Sequence, residues 1–342
     1  MIKVVVDAFG GDNAPVEIIK GGIDALSKND ELFIIFTGDK ERIEEILESE
    51  KCAFLDRIEI IDAKEIIENN ESPTVAIRTK KDSSLVKAFD ELRTNDEVAG
   101  FVGAGSTGAV LTGAFLKLGR LSGVSRPALC PILPTIKGTP VAIVDCGANM
   151  DAKPINLVHF ALMGTAYLKS IYGVANPRVA LLNVGVEEHK GNELSKETFE
   201  MLSNLEGINF VGNMEARELL SGDYDLVVTD GFAGNVLLKS SEGAMISLLK
   251  MMKQEIDNGV WRKLGALLMR NAFKSLKSKL DYSHQGGAVL LGCKKIIVKS
   301  HGSSKAESIC ASIEQVVQMY EAKLVDLIAE NVQKYDCEVE GE

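Results

Sequence analysis

The sequence predicts an α/β fold built on a mainly parallel, doubly wound sheet. Three observations carry that prediction: short β-branched apolar runs that read as buried strands, intervening stretches long enough for crossover helices, and polar glycine-rich loops after five of the runs. In chain order the runs are IKVVV (2–6), LFIIF (32–36), RIEII (57–61), VAGFV (98–102), PVAIV (140–144), RVALL (178–182), INFV (208–211) and DLVV (225–228). Ligands of such sheets bind in the crevice at the carboxyl ends of the strands. The loops DAFGGD, GAGSTGA, DCGANMD, NVGVEEHKG and TDGFAGN, each following a run, therefore predict one composite site.

Composition bounds the remaining choices. The chain has 342 residues and carries 38 Lys+Arg against 49 Asp+Glu, a formal charge of −11, which argues against nucleic-acid binding through overall charge. At 46% hydrophobic and 25% charged it sits near the soluble globular norm, and 31 Gly with only 8 Pro indicate tight turns rather than disordered linkers. Its length suits one large α/β domain over 1–334, with room for two lobes. The six cysteines form no C-x-x-C pair and read as reduced, buried thiols of a cytoplasmic protein. An aspartate after three valines in MIKVVVDAFGGD comes too early for the apolar region of a signal peptide. Residues 98–116 carry no charge over nineteen positions, but five are Gly and three are Ser or Thr, so they read as strand, glycine turn and helix start.

Residues 245–280 break the alternation. Met245, Leu248, Leu249, Met252 and Ile256 share one helical face, Asp257-Asn258-Gly259 makes a turn, and Trp261, Leu264 and Leu268 begin a second amphipathic face. An inserted helical hairpin is expected there. Its stretch 250–279 holds eight basic residues, Lys263 and Arg270 among them, against two acidic ones. On an acidic chain such a hairpin suits an anionic lipid surface, an acidic partner or a dimer interface. Residues 304–334 pattern as one long C-terminal helix, and the acidic tail 335–342 is expected to fray.

Among the loops, Gly103, Gly105 and Gly108 fit G-x-G-x-x-G between a strand and a helix, the context of a dinucleotide fingerprint. The acidic residue expected about twenty positions later for a ribose hydroxyl is missing, since no Asp or Glu occurs between Glu97 and Asp145. What remains is a helix start with free N–H groups and the hydroxyls of Ser106 and Thr107, a seat for a phosphate group; the structural alternative is a close-packed turn. No G-K-[ST] follows, which excludes a Walker loop. Cys146 has no assigned activating base and reads as buried filler. His159 lies in the apolar run NLVHFALMG and reads as a core histidine. No metal site is predicted, because the four histidines lack H-x-x-x-H spacing and the loop aspartates Asp7, Asp12, Asp145, Asp151 and Asp230 suit helix capping. Lys190 and Asn235 each follow a strand. A lysine and an amide projecting into one crevice would form an anion-stabilising pair.

As an ordered set these loops are far more specific than any one of them. The series DAFGGDNAP, VGAGSTGA, RPAL with a following proline, DCGANMD, NVGVEEHKGN, VGN-x-E, TDGFAGNVLLKSSEG, GGAVLLG and SHGSS resembles the bacterial phosphate acyltransferases of phospholipid synthesis, the acyl-carrier-protein-dependent PlsX family, from residue 2 to about 320. Phe9 stands where many relatives have Met, and Ser106 where many have Asn. The resemblance implies a fold similar to phosphate acetyltransferases and isocitrate dehydrogenases, and a cytoplasmic, membrane-associated homodimer with no cofactor. It implies transfer of a long-chain acyl group from acyl carrier protein to inorganic phosphate, giving acyl phosphate. It makes Lys190 and Asn235 the groups that neutralise phosphate or the tetrahedral oxyanion and orient the carbonyl, with Asp230 positioning the loop. Gly105, Ser106, Thr107, Gly108 and Asn149 are then expected to hold phosphate, and Trp261, Lys263, Leu264 and Arg270 to meet acyl carrier protein or membrane.

The chemistry suits the residues. Inorganic phosphate is partly dianionic near neutral pH, so it can attack a thioester without a strong base or a covalent enzyme intermediate, given positioning and charge control. Two other readings fit part of the sequence. A nicotinamide-dependent dehydrogenase of the isocitrate type would share the fold but lacks its ribose acid. A non-catalytic scaffold for acyl carrier protein or membrane would leave the five glycine-rich strand exits unexplained.

Overall fold

The structure, a computed structural model, describes residues 1–280 and 286–340, and the side chains of all of these except 276–280 and 336–340. All eight apolar runs form strands, and the parallel α/β class holds, divided between two sheets. The first sheet runs, edge to edge, Ile58–Asp62, Leu32–Gly38, Ile2–Asp7, Val98–Gly103, Ile296–Lys299, Ala288–Leu291 and Ala128–Cys130, and its first five strands are parallel. The second runs Ile132–Pro134, Pro140–Val144, Leu226–Val228, Arg178–Asn183 and Asn209–Glu215, parallel except for its first strand. The strands the sequence hid are the three antiparallel pieces and the parallel Ile296–Lys299. They span three or four residues each, too short to register as periodic runs, and exist because a neighbouring strand supplies their partners.

Both faces of the sheets are covered. Val4, Val6, Ile34, Phe36 and Val102 enter one core, while the alternating Val5, Ile35 and Phe101 enter another on the opposite face. Ala142, Val144, Leu181 and Val228 of the second sheet join the first of these cores, so one apolar mass ties the two sheets together. The helix Pro154–Tyr172 crosses it with every residue from Asn156 to Leu168 buried. His159 sits there as expected, 3% exposed, its Nδ1 accepting from the Ser125 N–H at 3.0 Å. Cys130, Cys146, Cys293 and Cys310 are buried free thiols.

Register brings the strand exits level. Asp7 pairs with Gly103, and Gly103 with Lys299, across the first sheet. Val144, Val228 and Leu181 are level in the second. Pro131 alone separates the last strand of the first sheet from the first strand of the second, and Cys146 N–H donates back to the Leu129 carbonyl at 3.0 Å. The carboxyl edges of both sheets therefore meet around residues 129–146.

Two expectations need correction. The hairpin is not an insertion: one helix, Gly231–Asp257, starts at the strand exit and continues through its first arm, since nothing between Gly243 and Met245 interrupts the helical pattern. Only Gly231, Gly234, Leu237 and Leu238 of that helix are buried, so its second half leaves the body of the fold. The expected turn follows at Asn258 and Gly259, then come Val260–Leu268 and Arg270–Leu280. The C-terminal helix is two helices, Ala306–Glu321 and Leu324–Glu340, parted where Lys323 takes a φ of 51° that an α-helix cannot contain. The backbone of the acidic tail is helical as far as Glu340; Gly341, Glu342 and His284 lie outside the described residues. No helix among the described residues is long and apolar enough to cross a membrane.

Candidate functional site

The helix Gly231–Asp257 builds the site. Asp230 caps it, its carboxylate accepting from the N–H groups of Phe232 and Ala233 at 2.9 and 3.0 Å. The helix start lies directly on the turn that follows Pro140–Val144. A Cβ on Gly234 would stand 2.0 Å from the Asp145 carbonyl oxygen, and one on Gly231 2.7 Å from that of Asn149, so only glycine permits the approach. Asp145 locks the turn from inside. Its carboxylate is fully buried and accepts from the N–H groups of Leu129, Ala148 and Asn149 and from the Asn149 side-chain amide, at 2.6 to 3.2 Å. Burial pushes its pKa up, against the pull of those donors.

Between the edges of the two sheets these contacts leave a cleft of about 260 Å³. Leu129, Pro131, Ile132, Cys146, Leu238 and Ala288 form an apolar side, and Gly105, Thr107, Asn235, Lys239, Lys299 and His301 a polar one. Lys239 pairs with Glu242 at 2.8 Å. His301 Nδ1 meets the Ser303 hydroxyl at 2.8 Å, and burial, reinforced by Lys239, lowers its pKa and favours the neutral ring. Lys299 is 7% exposed, and its Nζ donates to the carbonyls of Ala104, at 3.3 Å, and Ser300. Burial lowers its pKa to about 8. Burial also pushes the Cys146 thiol well above its ordinary value, which leaves it unreactive, as the sequence reading held. Among the described residues no group of three His, Cys, Asp or Glu could hold a metal ion.

The structure sorts the expected site residues. Gly105, Thr107 and Asn235 line the cleft together. Ser106 directly precedes the short helix Thr107–Gly113 without capping it, and Gly108 packs on Pro73. Asn149 does not line the cleft: it is 2% exposed, and its amide is taken up by Asp145 and by the Pro127 carbonyl at 2.8 Å. Lys190 does not line the cleft either. It stands exposed at the exit of Arg178–Asn183, beside a groove lined by Asn183, Gly191, Asp230, Phe232 and Val236. The helix passes between, with Asn235 on the cleft side and Phe232 and Val236 on the groove side. Farther along, Trp261 is 84% and Leu264 52% exposed, Arg270 is exposed, and Lys263 lies 3.8 Å from Asp257.

A family profile described as "Fatty acid synthesis protein" matches residues 2–326. The phosphate acyltransferase of Clostridium acetobutylicum is 44% identical over 332 residues, covering 97% of this chain and 99% of that one. The chain belongs to the phosphate acyltransferase family. The Bacillus subtilis phosphate acyltransferase agrees, at 43% over 333 residues, covering 97% and 98%. Among solved structures, a phosphotransacetylase from Streptococcus pyogenes superposes with a TM-score of 0.56 at 18% identity, covering 97% of this chain and 94% of that one. A branched-chain phosphotransacylase from Enterococcus faecalis gives 0.57 at 15%, covering 94% and 99%. At such identity the likeness carries the fold, and it bears out the expected similarity to phosphate acetyltransferases. As a member of the phosphate acyltransferase family the chain is an acyltransferase enzyme. Sequence reasoning missed the basic residues of this acyltransferase's cleft: Lys239, Lys299 and His301. Each lay inside or beside a motif already singled out, KSSEG or SHGSS, and Lys299 carried a signal of its own as a lone cation closing the apolar run IIV.

Proposed function

We propose that the chain transfers a long-chain acyl group from an acyl carrier protein thioester to inorganic phosphate, giving acyl phosphate for phospholipid synthesis. The observation that carries this reading is the cleft itself: exits from both sheets meet at one pocket with an apolar side for a chain and cationic and amide groups for an anion, on a chain of charge −11. The name shared by its relatives, phosphate acyltransferase, points the same way.

A phosphate oxygen attacks the thioester carbon, a C–O bond forms, and the carbonyl oxygen becomes an oxyanion. As the C–S bond breaks, the carrier thiolate takes up the proton that hydrogen phosphate gives up. No covalent enzyme intermediate is needed, which suits a cleft whose thiol, Cys146, is held protonated by burial. The Gly105 to Gly108 loop, with Ser106 and Thr107, holds phosphate, and the Asn235 amide donates to the developing oxyanion. Asp230 acts through its cap, which fixes the turn from which Asn235 projects. Lys190 serves the adjoining groove as the cation beside the incoming thioester. Trp261, Lys263, Leu264 and Arg270 receive acyl carrier protein or rest on an anionic membrane, and the working form is a cytoplasmic, peripherally bound homodimer.

The test is to incubate the protein with an acyl carrier protein thioester, with and without inorganic phosphate, while following free thiol and acyl phosphate. Thiol release that requires phosphate supports the reading. Release indifferent to phosphate, or none, overturns it.

A further inference from the structure

Lys299 is buried where a cation has least reason to be. It ends the strand Ile296–Lys299 level with Gly103 and lines the cleft, yet it is only 7% exposed. Two of its three N–H bonds go to the carbonyls of Ala104 and Ser300. No carboxylate stands within 4 Å of its Nζ among the described residues. A buried ammonium without a carboxylate partner is an expensive arrangement, one that a well-packed methionine would avoid. Asp7 does not resolve it: that side chain acts only through space, is itself buried, and is engaged by the Phe9 N–H and the Ser84 hydroxyl. The other charged groups around it are Lys239, which adds positive charge, Asp12, which offsets it weakly, and Glu242, already paired to Lys239. His301, the next titratable neighbour, tends to neutrality.

We infer that Lys299 is the buried counter-charge for the attacking phosphate, its Nζ tethered by the Ala104 and Ser300 carbonyls so that the remaining N–H is kept for a phosphate oxygen in the cleft. The inference rests on the reading of the chain as a phosphate-consuming acyltransferase. It makes the glycine loop a support for the cation, whose backbone carbonyl at Ala104 aims the ammonium, rather than the main source of charge. With burial setting its pKa near 8, Lys299 is charged at neutral pH and loses its proton above about pH 8. Phosphate, partly dianionic already at neutral pH, has largely completed that ionisation below this range, so weaker phosphate binding above it reports Lys299 rather than the anion.

The experiment compares the full-length protein with Lys299→Met and Lys299→Arg. Losing one charge-assisted hydrogen bond should raise the KM for phosphate in Lys299→Met about 10- to 100-fold, with the KM for the acyl carrier protein thioester within twofold of the parent. In the parent, the phosphate KM should rise above about pH 8, and Lys299→Arg, charged throughout, should remove that rise. A purely structural tether would not move with pH in this way. A folded Lys299→Met protein with an unchanged phosphate KM overturns the inference, as does a parent phosphate KM that stays flat above pH 8. If Lys299→Met does not fold, thermal stabilisation of the parent by inorganic phosphate decides: a shift that shrinks above pH 8 supports the counter-charge, and a constant one sinks it. A parent without any phosphate-dependent thiol release instead overturns the proposed function.

Discussion

Asn235, on the helix that follows a strand of the second sheet, and Lys299, at the end of a strand of the first, face one cleft, and kinetics should separate their duties. Asn235 donates to charge that exists only during reaction, so Asn235→Ala should lower kcat by roughly 100- to 1,000-fold with little change in the phosphate KM. An equal loss in KM would make it a ground-state ligand instead. Lys299 also leaves a mark on stability. Its folded pKa of about 8 lies below the 10.5 of an unburied lysine, so between those values the unfolded chain binds more protons than the folded one. The penalty is fully present below pH 8 and fades as pH rises toward 10.5. Urea midpoints of the parent should therefore gain on those of Lys299→Met across that window, and a constant difference would show that the lysine is not desolvated. At this scale the sequence was only half readable. It named Asn235 and Thr107 because strand exits converge in any parallel sheet, but exit position does not say which way a side chain turns. Asn149 turned inward to satisfy buried Asp145, and Lys190 stands exposed outside the cleft. Both outcomes depend on partners distant in sequence.

The helix Gly231–Asp257 converts those local accidents into a site. Its phase is fixed where Gly234 meets the Asp145 carbonyl, and that contact decides that Asn235 faces the cleft and Val236 the groove. Two glycines of this helix make opposite predictions. Gly234→Ala forces a methyl to within 2.0 Å of a backbone oxygen, so it should destabilise the protein by about 1–3 kcal/mol and depress turnover by displacing Asn235. Gly243→Ala, exposed and with nothing within 4 Å, should stabilise by about 0.5–1 kcal/mol through helix propensity and leave activity unchanged. Denaturant titration of both checks the pair, and like signs would mean that the helix is not seated on Asp145. The sequence showed the strand before this helix and the turn after it. It hid the continuity, because the change from a buried to an exposed environment near Gly243 reads as the start of a new element when the helix merely leaves the fold.

For the whole molecule, the unresolved cost is the apolar surface at the end of that helix. Val260, Trp261 and Leu268 are each more than 80% exposed, and no residue of Val260–Leu268 is buried, whereas Met245, Leu249, Met252 and Ile256 of the expected face are half-covered and Leu248 is exposed. So much exposed apolar surface on one short helix marks a contact surface. Its charges are placed for an acidic counterpart: Arg262 and Lys263 are partly answered by Glu255 and Asp257, but Arg270 has no acid of its own within 4 Å among the described residues. Charge reversal and apolar disruption should then have different effects. Lys263→Glu with Arg270→Glu should raise the KM for the acyl carrier protein thioester several-fold, more at low salt than at high, because screening weakens such attraction within about 10 Å at 0.1 M. Leu264→Glu should release the protein from anionic vesicles at any salt, since it removes apolar contact and adds a like charge. Should both variants bind normally while Leu264→Glu halves the solution mass, the face packs against a second copy, and the acidic carrier must approach the cleft from elsewhere.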